Sequence, residues 1–305
     1  MARPDRANRP AGSSKGVRGR TAALCGAPYV SEGGAGEGAE ATSLETRVHN
    51  IDASSGLSEK LDATMQDAAK ATSERHFDQS LKLYEEAVDI ADKIQPHDSR
   101  LLTALDYVGN FNIKRNPAAA QAAFERELKA AEEISGPNSP GVTAALTSLG
   151  NNAMSRKDYA NAEKYYFRAV DINEKVFGEG SDAVAQSLRV ASMAYLAQKD
   201  YAKAEPYLLR ALRTEDSLGG GSPYLLIVLS DLSYLYDGWN KPDKSEPYYR
   251  RIIALIEKQY GPNTPILEAV LVKDAAALRS LGRTNEADQV DQRLTSLRAS
   301  TMKPN

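Results

Sequence analysis

The sequence predicts an all-α solenoid of about six helix pairs behind a disordered leader, on three observations. The first is a repeat. Asp158-Tyr159-Ala160-Asn161-Ala162-Glu163-Lys164-Tyr165-Tyr166 returns as Asp200-Tyr201-Ala202-Lys203-Ala204-Glu205-Pro206-Tyr207-Leu208. It returns again, degraded, as Lys241-Pro242-Asp243-Lys244-Ser245-Glu246-Pro247-Tyr248-Tyr249. The anchors Phe77, Pro117, Tyr159, Tyr201, Pro242 and Thr284 stand 40, 42, 42, 41 and 42 residues apart. A fixed period of this length is the mark of stacked supersecondary units, none of which buries its apolar face alone.

The second observation is apolar spacing. Leu146, Leu149, Gly150 and Ala153, then Ala162, Tyr165, Tyr166 and Ala169, fall on one face of a 3.6-residue helix, and no segment alternates with the period of a strand. The third is punctuation. Within a unit a short polar turn such as Ser155-Arg156-Lys157-Asp158 joins two helices, with Asp158, Asp200 and Asn116 placed to cap the second helix. Pro117 fits the first helical position, where a missing N–H costs nothing. Between units, Gly136, Gly178, Gly219 and Gly261 fit helix stops, and Pro140, Pro223 and Pro265 fit the next helix starts. The units are expected at about 58–98, 99–139, 140–181, 182–222, 223–264 and 265–298, with 299–305 a tail.

Residues 1–57 are rich in Gly, Ser, Ala and Pro and poor in large apolar residues, which predicts disorder; the alternative is a weak helix around Leu44 to Ile51. The 305 residues carry a formal charge of −3, so bulk charge draws the chain to neither nucleic acid nor anionic membrane. The lone Cys25 rules out an internal disulfide or a cysteine metal cluster. No apolar run is long enough to span a bilayer and the basic N-terminus lacks an apolar segment behind it, so the cytoplasm is the default compartment.

The residues of the third block, Leu146, Leu149 and Gly150 followed by Tyr159, Ala162, Tyr166 and Ala169, resemble the tetratricopeptide repeat in the longer variant of kinesin light chains. The fourth block repeats the pattern with Leu188, Ala191, Ser192 and Tyr195, then Tyr201, Ala204, Leu208 and Ala211. The resemblance covers about residues 58–298 and is weakest in the sixth block, where Asp274 and Asp291 stand in apolar places. It implies a right-handed superhelix whose first helices line a concave face. The asparagine pairs that kinesin light chains carry on those helices are replaced by Thr147-Ser148, Arg189-Val190 and Ser230-Asp231, so the resemblance implies the fold and not the cargo.

By motif position the concave face carries Asp106, Asn110, Thr147, Asn151, Arg189, Met193, Asp231, Tyr234 and Lys273. These suit a peptide groove, with Asn and Arg as hydrogen-bond donors to an extended backbone and Tyr and Met as apolar contacts. Nothing in the sequence suggests catalysis. His49, His76 and His97 are isolated, Glu85-Glu86 and Glu132-Glu133 diverge on their helices, and Gly219-Gly220-Gly221 lacks the strand and Gly-Lys-Ser/Thr of a phosphate loop. One member of each pair Tyr165-Tyr166 and Tyr248-Tyr249 is expected in the core, and Trp239 is expected against a neighbouring helix. The reading is a non-enzymatic scaffold or adaptor, monomeric and free of cofactors, that binds a peptide or partner protein. The alternatives are a self-associating assembly protein and a detached regulatory module.

Overall fold

A computed structural model describes the backbone of residues 37–219 and 223–301 and the side chains of 55–219 and 224–299. The chain divides into residues 1–49 and 50–305. Of the first unit only the opening of α1 (Glu37–Ser73) is described. Then follow α2 (Phe77–Ala91), α3 (Ser99–Asn112), α4 (Pro117–Ser135), α5 (Pro140–Ser155), α6 (Tyr159–Phe177) and α7 (Asp182–Ala197). They are succeeded by α8 (Tyr201–Ser217), α9 (Pro223–Gly238), α10 (Pro242–Tyr260), α11 (Leu267–Ser280) and α12 (Thr284–Thr301). From α2 on each helix packs on the next, α1 and α2 share an apolar cluster through Leu61, Ala68, Tyr84 and Ala87, and the described residues contain no strand. Among the described residues the fold is an all-α solenoid of six helix pairs.

Residues 37–57, expected in a disordered leader with a weak helix around Leu44 to Ile51 as the alternative, form the opening of α1. Glu37, Ala39, Glu40, Ala41, Leu44, Glu45 and Arg47 are good helix formers, and they outweigh Gly38 and Gly56. Residues 1–36 lie outside the described residues.

The punctuation works as its chemistry dictates. Asp158 accepts from the Asn161 amide, Asp200 from that of Lys203 and Asn116 from that of Ala119. Gly136, Gly178, Gly219 and Gly261 have φ of 82, 82, 90 and 87°, a region that strains any residue with a Cβ. Five of the turns inside the units, all but that between α3 and α4, share a second device. Arg75, Lys157, Lys199, Asn240 and Gly282 all have positive φ. The amide after each reaches back five residues, as from Asp158 to the Ala153 carbonyl and from Asp200 to that of Tyr195. Pro265 does not open α11, which starts at Leu267 after a turn closed by the Leu267 amide on the Thr264 carbonyl.

Close approach within a pair depends on a small residue facing a large one. Gly109 lies under Phe124, and a Cβ there would meet the ring at 2.2 Å. Gly150 lies under Tyr166, where the same atom would sit 2.3 Å from the ring. Ser192 with Leu208 and Ser233 with Tyr249 hold these places in the next two units, and all four are buried. Tyr165 packs between neighbouring helices, Tyr248 stacks on Tyr236 with centroids 5.8 Å apart, and Trp239 lies against Tyr201 at 6.3 Å.

Neighbouring units are also tied by ions. Arg126 pairs with Asp92, Arg168 with Glu132, Arg210 with Glu174, Arg251 with Asp216 and Arg293 with Glu257. Every pair joins a second helix to the second helix before it, and the arginines recur at 42, 42, 41 and 42 residues. Tyr84 stands 42 residues before Arg126 and Ala299 stands 42 residues after Glu257, neither of them charged.

Asp274 holds the place that Leu232 has one unit earlier, and it is 3% exposed, beside Glu246, Arg250 and Arg283. Burial, with the Glu246 charge, pushes its carboxyl up to about 6. An acid raised on folding contributes most stability below its unfolded value, and that contribution fades as pH rises from about 4 to 6. Asp274→Leu is therefore expected to raise neutral-pH stability by up to about 3 kcal/mol and to flatten the pH dependence over that interval, as followed by urea unfolding. Gly150→Ala is expected to lose about 1–3 kcal/mol through overpacking against Tyr166. Gly56→Ala, which meets nothing within 4 Å on its helix, should gain up to about 1 kcal/mol in the same assay.

Candidate functional site

First helices of adjacent units approach one another, α3 with α5 and α7 with α9, so their outward residues share one face. Because these helices run through the same 41- or 42-residue period, equivalent positions line up from unit to unit. Asn110, Asn151, Met193 and Tyr234 form one such row, all exposed, with Tyr234 the most open at 64%. On α9, Ile227 lies on the same helical face as Tyr234, two turns earlier, and is also exposed.

Of the other expected residues Asp106, Thr147, Arg189 and Asp231 are partly buried, and all of them with Lys273 are already engaged. Arg189 Nε donates to Asp231 Oδ2 at 2.6 Å across the α7–α9 boundary. Burial outweighs this neighbour and still pushes the Asp231 carboxyl above its ordinary value. Asn151 Oδ1 accepts from the Tyr166 hydroxyl at 2.8 Å, and Thr147 Oγ1 donates to the Thr143 carbonyl. Asn110 Nδ2 donates to Asp106 Oδ1 at 2.8 Å, and Ser148 Oγ donates to the same oxygen at 3.1 Å. Lys273 is exposed and lies 3.6 Å from Asp237.

Between α5, α6 and α7 a cavity of about 560 Å³ opens. Thr147 and Ser148 line it from α5, Tyr166 and Phe177 from α6, and Gln186 and Val190 from α7. Its floor is small because Ala144, Ala169 and Ala183 stand there, and Asn173 closes one side by donating to Ser187 Oγ at 2.5 Å. Of the residues expected from sequence only Thr147 lines this cavity. Val190 and Ser148 were missed although each adjoins a named residue. Phe177 was missed because it stands just before the stop Gly178, and it is 49% exposed.

Among the described residues no group of three or more His, Cys, Asp or Glu side chains could hold a metal ion, and no helix is long and apolar enough to cross a membrane. The face therefore offers hydrogen-bonding groups, exposed apolar side chains and a preformed cavity.

Residues 142–215, the stretch from α5 to α8 that contains the cavity, match the tetratricopeptide repeat family. Among solved structures, BtubC (BKLC) of P. vanneervenii is similar with a TM-score of 0.59 at 19% identity, over 80% of this chain and 94% of that one. A kinesin light chain of nearly identical TPR-like repeats from Podosopora anserina gives 0.58 at 16% identity, over 69% of this chain and all of that one. Aspartyl phosphate phosphatase F of Bacillus subtilis gives 0.58 at 12%, over 84% and 75%. No curated protein sequence matches the chain. At these identities the likeness is one of fold.

The Arg189–Asp231 pair spans two units and is largely shielded, so each partner depends on the other. Arg189→Ala is expected to cost about 1–3 kcal/mol by leaving Asp231 without its cation, with part of the loss recovered by adding Asp231→Asn. A double-mutant cycle should give a coupling of about 1 kcal/mol or more, and additive losses would show the pair to be idle.

Proposed function

We propose that this array of tetratricopeptide-like repeats is a non-enzymatic scaffold or adaptor, binding an extended peptide or a segment of a partner protein along its concave, first-helix face. The observation that carries the reading is the cavity between α5 and α7, continuous in repeat position with the exposed Met193, Ile227 and Tyr234. A cavity of that size takes one or two side chains of a bound segment, and the apolar row beside it takes the next ones. The surface is preformed on packed helices, so the scaffold loses little conformational entropy on binding. The charged residues on the face serve this reading indirectly. Arg189 and Asp231 hold two first helices in place, while Thr147, Val190, Met193 and Tyr234 do the touching.

A monomeric array fits better than self-assembly. The row of arginine–carboxylate pairs ends on Tyr84 and Ala299, so neither end offers half of a further pair. The exposed residues of α12 include Asp288, Gln289, Gln292, Thr295 and Ser296, a polar outer face of the kind that terminates a solenoid.

The test uses the full chain as bait in lysate of its source organism, with Val190→Trp to fill the cavity, Tyr234→Ala to strip the apolar row and Lys129→Ala as an exposed second-helix control. A protein held by the wild type and the control, and reduced roughly tenfold or more on both groove variants at unchanged helicity, is the expected outcome. Equal capture by all four proteins would place the binding surface elsewhere.

A further inference from the structure

We propose that the part of this face formed by α3, α4 and α5 takes a cationic side chain of the bound segment, a lysine ammonium or an arginine guanidinium, at Asp106 with Glu127 beneath it. The proposal rests on the concave-face reading and adds the chemistry of one subsite.

Glu127 is the anomaly that leads there. It lies on α4 at the place held by Ala169, Ala211 and Ile252 in the next three units. Those residues pack the core, and Glu127 is as hidden as they are, at 4% exposure. Its Oε2 is enclosed with no hydrogen-bond partner. A carboxyl in a place suited to a methyl group costs stability and is not explained by packing.

The charged neighbours are few. Asp106 on α3 is the charge that acts on Glu127. On α3 the cation Arg100 is held by Asp98 and Asp62. On α4, Arg126 is held by Asp92 and Lys129 lies near Glu133, while α5 carries no charged residue. Burial and then the Asp106 charge push the Glu127 carboxyl up to about 8, so it holds its proton at neutral pH.

Asp106 is incomplete in the same sense. Both of its hydrogen bonds fall on Oδ1, from Asn110 and Ser148, and among the described residues no cation pairs with it. Two other acids of the first helices have cations supplied by a neighbouring unit, Asp231 by Arg189 and Asp237 by Lys273. A cationic side chain of the ligand would supply the countercharge that no neighbouring unit gives Asp106. Its arrival stabilises the ionised form of Glu127 as well, and the proton leaves to the buffer.

The experiment reads the two carboxyls directly by ¹³C NMR in the full chain. The probe is Nα-acetyl-lysine N-methylamide, and the norleucine analogue is its neutral counterpart. The lysine probe is expected to shift the Asp106 carboxyl saturably and to lower the titration midpoint of Glu127 by roughly one pH unit, whereas the norleucine probe does neither. Asp106→Asn, which keeps an acceptor for Ser148 and Asn110, should abolish both responses. Glu127→Gln should keep the Asp106 response and lose the proton release. Equal responses to the two probes, a lysine response spread over surface carboxylates in general, or one that survives Asp106→Asn would overturn the proposal. None of these results bears on whether Val190→Trp and Tyr234→Ala lose a partner, so the subsite and the binding face stand or fall separately.

Discussion

The contact on which the rest depends is that of a large side chain on a second helix against an absent or minimal one on the first. Phe124 over Gly109 and Tyr166 over Gly150 leave no room for even a methyl group. That contact fixes how closely the two helices of a unit approach, and the helix separation decides where the next unit starts. Ser192 beneath Leu208 and Ser233 beneath Tyr249 show the tolerance of the device: a hydroxyl is admitted where the opposing side chain leaves room or offers a polar group. Because the same separation recurs, equivalent residues of successive first helices fall in line, and a face exists at all.

Between units the apolar core supplies energy and the polar contacts supply direction. The cluster from Ala153 to Leu297 runs through α5 to α12 without interruption, and area buried on that scale dominates stability. Arginine–carboxylate pairs at the surface contribute little each, about 0–1 kcal/mol. Their repetition from α2 to α12 gives them a different part, since each bond is satisfied in only one register of its two helices. The bonds from the Tyr195 hydroxyl to Glu163 at 2.5 Å and from the Tyr236 hydroxyl to Glu205 at 2.6 Å do the same between a first helix and the second helix before it. Lys203 and Lys244 lie over those two tyrosine rings, so that contact recurs as well.

What could be read from the sequence follows the range of the interactions. Helix starts and stops are local chemistry, and Asp158, Asp200, Asn116 and the stop glycines act as their residue types require. The period exposes the solenoid because repetition encodes stacking. The partners of Arg189 and Asp106 were hidden because they lie about one unit away, and a sequence names the positions on a face without saying which of them hold each other. The cavity was hidden for the same reason: its walls come from three helices, and only Thr147 belonged to the set that motif position picks out. Glu127 stands among the charged Glu125, Arg126 and Lys129, and nothing short of its place in the repeat marks it as buried. At the opening of α1 the sequence offered both disorder and a weak helix around Leu44 to Ile51, because apolar content there is low while Ala and Glu supply helix propensity.

The distribution of paired and unpaired charge gives the face a direction. In the second and third units its exposed members are polar, Asn110 and Asn151, with Asp106 beside them. In the fourth and fifth they are Met193, Ile227 and Tyr234, and the charges among them are cancelled internally by Arg189 and Asp231. Cancellation matters because an ion pair held inside the scaffold asks nothing of a ligand, whereas an acid without a cation attracts one. A segment laid along such a face meets hydrogen-bonding and anionic groups at one end and apolar surface at the other, with the cavity between them. Reversing the segment would set its apolar residues against Asn and Asp and leave polar groups of both partners unsatisfied, a cost of about 1–3 kcal/mol for each buried group. On the proposed reading, the asymmetry of the array, arising from small departures from an otherwise regular repeat, would favour one orientation of a bound chain over the other.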